Sequence, residues 1–394
     1  MSVSVVGTYH SKFDRLDDSL YELLVKAGKG ALEDSEVEAK EIGQIFVGNY
    51  SGGGFNNQEH LAPYAVNIDP DLRFTPATRV ENACASGFAA IEAAKDALEA
   101  GKIDYALVIG VEKMTDLDTR GITEVLAMAS YYPGEAAKGM TFPGLFAEYG
   151  KGYMERHNLS QEELRETLAK IAAKNYNNAL VNPLAQMSSD WTYEDILNLS
   201  DDKNPMIAPP LKLHDCSLVS DGAAALVLTT TENAKELKDD VVELTTLVHT
   251  TDYLALEQRS KSEFVAAKKA VQKAYDIANI DVEDLDFVEV HDCFTTAELL
   301  AYEAIGLAED GKGAKLLDDG VVKVGGKLPV NASGGLKAKG HPVGATGVSM
   351  AVLATRQLLG NPVGHQIEDA ELGLTFNMGG SGATNYVSIF KRIK

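Results

Sequence analysis

Residues 82–101 read "NACASGFAAIEAAKDALEAG", and residues 331–360 read "NASGGLKAKGHPVGATGVSMAVLATRQLLG". Each begins Asn-Ala, turns through small residues, and runs into a long helical pattern that stops on glycine. The likeness extends outward. "SDGAAALVLTT" (220–230) and "GSGATNYVSIF" (380–390) each close their part of the chain with a Gly-Ala turn and a strand pattern. The chain reads as an internal duplication, with one half-sheet from each copy. The alternative is coincidence among common α/β patterns.

Around these stretches helices and strands alternate. "SLYELLVKAGKGALEDS" (19–35) is an amphipathic helix pattern, and "IGQIFVGNY" (42–50) a buried strand. The helix "FAAIEAAKDALEAGK" has Gly101 as its expected C-cap, and the apolar strand "IDYALVIGVE" (103–112) follows. Strand, helix, strand in this rhythm implies a parallel sheet covered on both faces. From about Met114 to Asp215 the rhythm breaks into helices such as "TFPGLFAEYGKGYMERH" and "SQEELRETLAKIAAKNY". An insertion that long reads as a lid. The second alternating half runs "VVELTTLVHT", "FVAAKKAVQKAYDIANI", "LDFVEVHD" and "TTAELLAYEAIGL". The expected division is residues 1–235, with the lid at about 114–215, and residues 236–394.

The composition narrows the function classes. The chain has 394 residues, 45% apolar, with 35 glycines against 12 prolines, which suits a large core with tight turns. Its net charge of −22 is spread over helix faces, arguing against nucleic acid or an anionic membrane as partner. No basic and apolar leader opens "MSVSVVGTYH", and no run approaches the roughly 18 apolar residues of a membrane span. The final "FKRIK" carries no peroxisomal signal. Three cysteines make no disulfide framework; they point to a reducing, cytoplasmic setting in which single thiols do chemistry.

Four segments carry candidate chemistry. Cys84 lies at a strand-to-helix elbow, where unpaired N–H groups and the helix dipole favour a thiolate. The competing reading is an inert buried cysteine. His341 stands in "GGLKAKGHPVGATG", where a glycine-rich turn can bring backbone close to a ligand and a histidine can deprotonate a thiol. His291, Asp292 and Cys293 end an apolar strand in "VEVHDCF", where α/β folds place active sites. Asp292 reads as structural. In "NMGGSGATNY", Gly379 and Gly380 offer backbone N–H groups for an oxyanion. Cys216 reads as a core residue. Lys337 and Lys339 flank the glycine turn and are candidates for meeting phosphates, against the commoner reading of solvated lysines. No Walker loop, dinucleotide fingerprint or zinc spacing appears, so neither a metal nor a cofactor is expected.

Together "NACASG", "SDGAAA" and "GHPVGATG" resemble the thiolase superfamily over essentially the whole chain. The resemblance implies a five-layered α-β-α-β-α fold from two duplicated halves with mixed sheets, plus an inserted loop domain. Many members carry a second cysteine in a C-terminal Cys-x-Gly segment, where this chain has Asn377 in "NMGG". They carry Asn-Glu-Ala-Phe where this chain has "HDCF", as in sterol-carrier-protein-type and archaeal members. The resemblance therefore implies Cys84 as nucleophile, His341 as its base and Cys293 as the second acid/base. It implies His291 and His341 on the thioester oxygen, and the Cys84 and Gly379 amides as an oxyanion hole. The implied reaction joins two acetyl-CoA into acetoacetyl-CoA, feeding the mevalonate route to isoprenoids, with coenzyme A only as part of substrate and product.

Other activities stay open: a thiolase degrading longer 3-ketoacyl-CoA, a ketoacyl-synthase-like enzyme, or a silent acyl-CoA-binding scaffold. The resemblance implies a homodimer or homotetramer. It also implies a complex with HMG-CoA synthase and a zinc-ribbon/OB-fold protein.

Overall fold

The computed structural model describes residues 2–393. The first copy lays down β1 (Val3–His10), α1 (Leu20–Ser35), β2 (Ile42–Gly48), α2 (Gly52–Asn56), β3 (Ala77–Val80), α3 (Ser86–Glu99) and β4 (Tyr105–Glu112). An excursion follows through α4 (Thr119–Ala127), α5 (Phe142–His157), α6 (Gln161–Asn178), α7 (Tyr193–Leu197) and the small hairpin of β5 (Met206–Ala208) and β6 (Leu211–Lys212). β7 (Gly222–Thr230) closes the copy and α8 (Thr231–Leu237) leaves it. The second copy has β8 (Val241–Thr251), α9 (Val265–Ala278), β9 (Phe287–Val290), α10 (Thr295–Ala304), α11 (Gly313–Asp318), α12 (Gly335–Lys339), α13 (Thr346–Leu358), β10 (Leu372–Gly379) and β11 (Thr384–Ile393).

Local chemistry explains the helix starts. Ser19 and Glu22 form a reciprocal cap on α1, and Ser160 and Glu163 do the same on α6. Gly101 takes φ +64° just past the end of α3, as its position in the sequence implied.

The main sheet runs β3-β2-β4-β7-β1-β8-β11-β10-β9. Its two halves meet where Val3, Ser4 and Val5 of β1 face Leu244, Glu243 and Val242 of β8, antiparallel. Read outward from this junction, both halves repeat one pattern. β7 and β11 are antiparallel to their neighbours, and β4, β2 and β3 are matched by β10, β9 and a parallel bridge from Val330 to Val288. The parallel sheet implied by the helix–strand rhythm is thus confined to the outer strands. The excursion leaves β4 and returns to β7 at the same end of the sheet, so β7 must run backward. β11 does so after a tight turn.

Helix α3 packs on β2 and β4, α13 packs on β10 and β7, and the two helices pack on each other. α1 covers the outer face of the first half-sheet, and α9 that of the second. The order is α-β-α-β-α, as expected. The central layer explains one glycine in each quoted stretch. A Cβ on Gly87 would stand 2.7 Å from the Val348 nitrogen, and one on Gly347 would stand 2.5 Å from the Phe88 nitrogen. No helix among the described residues is long and apolar enough to cross a membrane.

Candidate active site

The turn between β3 and α3 presents Cys84. Ala83 holds φ +50°, a left-handed backbone without glycine, which marks a strained elbow. Ser86 fastens it: its hydroxyl accepts from the Asn82 N–H at 2.9 Å and donates to the Ala83 carbonyl at 2.6 Å. Burial pushes the Cys84 thiol up to about 12, against a hydrogen bond from the Gly380 amide. The helix-start argument for a resting thiolate is therefore corrected. Desolvation outweighs the dipole here, and the thiol needs a base.

His341 is oriented to be that base. Its Nδ1 lies 2.6 Å from the Thr346 hydroxyl, whose own proton goes to the Pro342 carbonyl at 3.0 Å. Thr346 must then accept, so Nδ1 carries the imidazole proton and Nε2 is bare. Nε2 is buried without a protein partner. Burial, helped by the charge on Lys339, lowers the His341 pKa to about 3, which keeps the ring neutral.

His291 has the opposite tautomer. The Asn377 amide donates to its Nδ1 at 2.8 Å, and Nε2, also unpartnered, must carry the proton. The same Asn377 nitrogen faces the Cys84 carbonyl at 3.4 Å, which fixes the amide's orientation. Burial holds the His291 pKa well below its ordinary value. The two rings stand perpendicular at 5.0 Å. One atom each from Cys84, His291 and His341 lies within 4.8 Å of the others. These atoms form a soft donor set, but the proton on His291 Nε2 opposes ligation and suits donation to an oxygen.

Cys84, Cys293 and His341 line a cavity of about 180 Å³. Its apolar walls include Ile122 and Leu126 of α4, Phe142 of α5, Leu218 and Phe294, so the excursion does cover the thiols. Burial, then the proximity of Cys84, pushes the Cys293 thiol well above its usual range. Asp292 between His291 and Cys293 is structural: it accepts from the Leu336 and Lys337 amides at 2.6 and 3.2 Å, capping α12. It thereby ties the "HDC" turn to the helix that leads into His341.

Two expectations change. Lys337 and Lys339 are buried and turned to protein partners, away from any solvent-borne phosphate. The Lys337 ammonium donates to the Tyr176 hydroxyl at 2.6 Å, and that of Lys339 to the Ser349 hydroxyl at 2.8 Å. Exposed lysine stems are the norm, but α12 is sealed under the excursion, so its lysines point into polar core networks. At Gly379 a Cβ would stand 2.5 Å from the Asn82 carbonyl oxygen, and the amide of the next residue, Gly380, reaches the Cys84 thiol. Cys216, read as core, is half-buried in the cavity wall, because an isolated bridge to Phe294 draws the segment before β7 beside Cys293.

Sequence reasoning missed Thr346, although its hydroxyl sits inside the quoted "GHPVGATG". It also missed Glu112, a lone acid closing an apolar strand. Glu112 is fully buried and accepts from the Tyr50, Ser51 and Gly344 amides, which fastens the His341 loop to β4; burial raises its pKa to about 7. A charge at the end of a buried strand is the signal that would have found it.

Residues 3–191 match the family model "Thiolase, N-terminal domain", and residues 249–392 match "Thiolase C-terminal domain-like". The chain is 39% identical over 392 residues to an acetyl-CoA acetyltransferase of Methanothermobacter thermautotrophicus, covering 99% of each. It is 31% identical to human sterol carrier protein 2, over 94% of this chain and 67% of that protein. The fold is similar to human mitochondrial 3-ketoacyl-CoA thiolase (TM-score 0.74, 16% identity, 100% and 99% covered). It is also similar to the Ltp2-ChsH2(DUF35) aldolase (TM-score 0.81, 19% identity, 99% and 97% covered). With both family models matched and a relative aligned end to end, the chain belongs to the thiolase family.

Proposed function

We propose that the protein is an acetyl-CoA C-acetyltransferase that condenses two acetyl-CoA into acetoacetyl-CoA and CoA through an acetyl-Cys84 intermediate. The carrying observation is the pair of opposite tautomers, bare His341 Nε2 and protonated His291 Nε2, around one buried thiol. The full-length similarity to an archaeal acetyl-CoA acetyltransferase supports the substrate.

His341 takes the Cys84 proton, and the thiolate attacks the thioester carbonyl carbon. The CoA thiolate leaves with the proton of Cys293. Cys293, now a thiolate, removes a proton from the methyl carbon of the second acetyl-CoA. His291 Nε2–H and the protonated His341 hold the thioester oxygen, where charge develops. The enolate carbon attacks the acetyl group, Cys84 leaves as thiolate, and His341 returns its proton. The four proton transfers balance: Cys84 to His341, Cys293 to the CoA thiolate, the methyl carbon to Cys293, and His341 back to Cys84. The amides of Cys84 and Gly380 both approach the Cys84 sulfur, which supports their holding the tetrahedral oxyanion.

The test is mass spectrometry after mixing with acetyl-CoA. The parent should gain one acetyl group on Cys84, and Cys84→Ala none. An acetyl adduct on that variant refutes the assignment. A ketoacyl synthase would need malonyl-CoA, whereas this reaction runs on acetyl-CoA alone.

The apolar wall of the cavity favours one second reading, cleavage of longer 3-ketoacyl-CoA substrates. Rates across acyl-chain lengths separate the two. Supply to the mevalonate route, a cytoplasmic setting, and assembly with HMG-CoA synthase and a zinc-ribbon/OB-fold protein belong to the biosynthetic reading. Gel filtration with and without those partners tests the assembly.

A further inference from the structure

A second cluster of ligating atoms lies away from the thiols, where the end of α5 meets the loop after α10. One atom each of His157, Glu303 and Asp310 lies within 4.8 Å of the other two. Each carboxylate has one oxygen engaged and the other without a hydrogen bond. Glu303 Oε1 accepts from the Tyr153 hydroxyl at 2.6 Å and the Gly311 amide at 3.0 Å. Its Oε2 is buried without a partner, on a residue only 6% exposed. Asp310 Oδ2 is held by Arg156 at 2.7 Å, while its Oδ1 faces His157 Nε2 at 4.0 Å. His157 Nε2 is likewise buried and unpartnered. Gly311, at φ +75°, lets the imidazole in: a Cβ there would stand 2.5 Å from His157 Nδ1.

Two orphaned buried atoms, a carboxylate oxygen and a ring nitrogen able to accept, beside a second carboxylate are an arrangement that a shared cation satisfies. An imidazole with two carboxylates fits a first-row divalent ion such as Zn²⁺ better than Ca²⁺ or Mg²⁺, which prefer all-oxygen shells. Bonds of about 2.0–2.2 Å put donors about 3.3 Å apart, so the set closes inward on binding. Asp310, on an exposed turn, has the freedom to do so. Tyr153 and Arg156 are the outer partners that orient such carboxylates. We propose that His157, Glu303 and Asp310 form a structural divalent-metal site for Zn²⁺ that clamps the lid helix α5 to the end of α10. Helix α10 begins just after Cys293, so the clamp would stiffen the wall behind the second thiol. No spacing motif announces the site, since its ligands come from both copies of the fold.

The test uses the full chain with Cys84→Ala, which removes the thiol from the other donor set. The protein is stripped with chelator and titrated with Zn²⁺ alone. One equivalent should bind and raise the melting temperature, and Co²⁺ in its place should give a visible absorption band from a nitrogen- and oxygen-ligated ion. Glu303→Gln and His157→Ala should weaken binding by more than about tenfold. Asp310→Asn, on the exposed turn, tests the same loss without a buried substitution, should the others not fold. Absence of Zn²⁺ binding to the Cys84→Ala chain, or unchanged affinity in the folded Asp310→Asn variant together with either other variant, overturns the site.

Discussion

Thr346 Oγ1 lies 2.6 Å from His341 Nδ1 and spends its own proton on the Pro342 carbonyl, so one hydroxyl dictates which nitrogen of the candidate base is bare. Thr346→Val removes that acceptor and frees the ring to present the wrong tautomer. Acyl-enzyme formation should slow by about 10²-fold, while Thr346→Ser should retain most of the rate. Steady-state kinetics with a rapid-quench acylation assay checks it; a Thr346→Val variant at the parent rate removes the tautomer argument.

Asn377 acts on the other ring. Asn377→Ala withdraws the donor at His291 Nδ1, and the Nε2–H is no longer enforced. Condensation should fall by about 10²-fold, while acetylation of Cys84 stays within severalfold of the parent. The split is read by comparing acetyl-enzyme mass with acetoacetyl-CoA output. Equal losses in both steps would place His291 in the first step as well.

Burial pushes the Cys84 thiol up to about 12 and the His341 imidazole down to about 3, which disfavours a resting thiolate–imidazolium pair at neutral pH. Protonated thiol is the reactant over the whole accessible range. Iodoacetamide alkylation at Cys84 should therefore rise by about tenfold per pH unit from pH 6 to 9. A plateau starting near pH 7, followed by peptide mass mapping, would indicate a preformed ion pair instead.

Beneath the site Lys174 pairs with Glu298 at 2.8 Å, their side chains 2% and 0% exposed. The Asn175 amide bridges Glu298 to Asp292 at 2.6 and 2.8 Å, which joins this pair to the "HDC" turn. Lys174→Met leaves a buried carboxylate without its cation. Urea denaturation should show a loss of about 3–5 kcal/mol, and the double variant Lys174→Met/Glu298→Leu should recover part of it. A single variant as stable as the parent would show that the pair contributes nothing.

The repeat of Asn-Ala, small turn and helix at residues 82 and 331 determined the duplicated fold, because two similar local patterns bury corresponding faces, although the second copy inserts α12 and the His341 loop before its long helix. The short turn segments also carried Cys84, His291, Cys293 and His341, since a nucleophile or base at a strand end is visible in one dimension. What the tertiary structure decided lies between segments. The tautomers depend on Thr346 and Asn377, and the thiol's protonation depends on how deeply the excursion buries it. Lys337 and Lys339 look like surface lysines until α12 is sealed beneath α6 and tied by Asp292. His157, Glu303 and Asp310 come together only when the lid helix docks on the second copy. Periodicity records which face of an element is apolar, but not which charges another element will shut away from water. Desolvation, the term that sets these pKa values and orphans these atoms, is a property of the packed molecule.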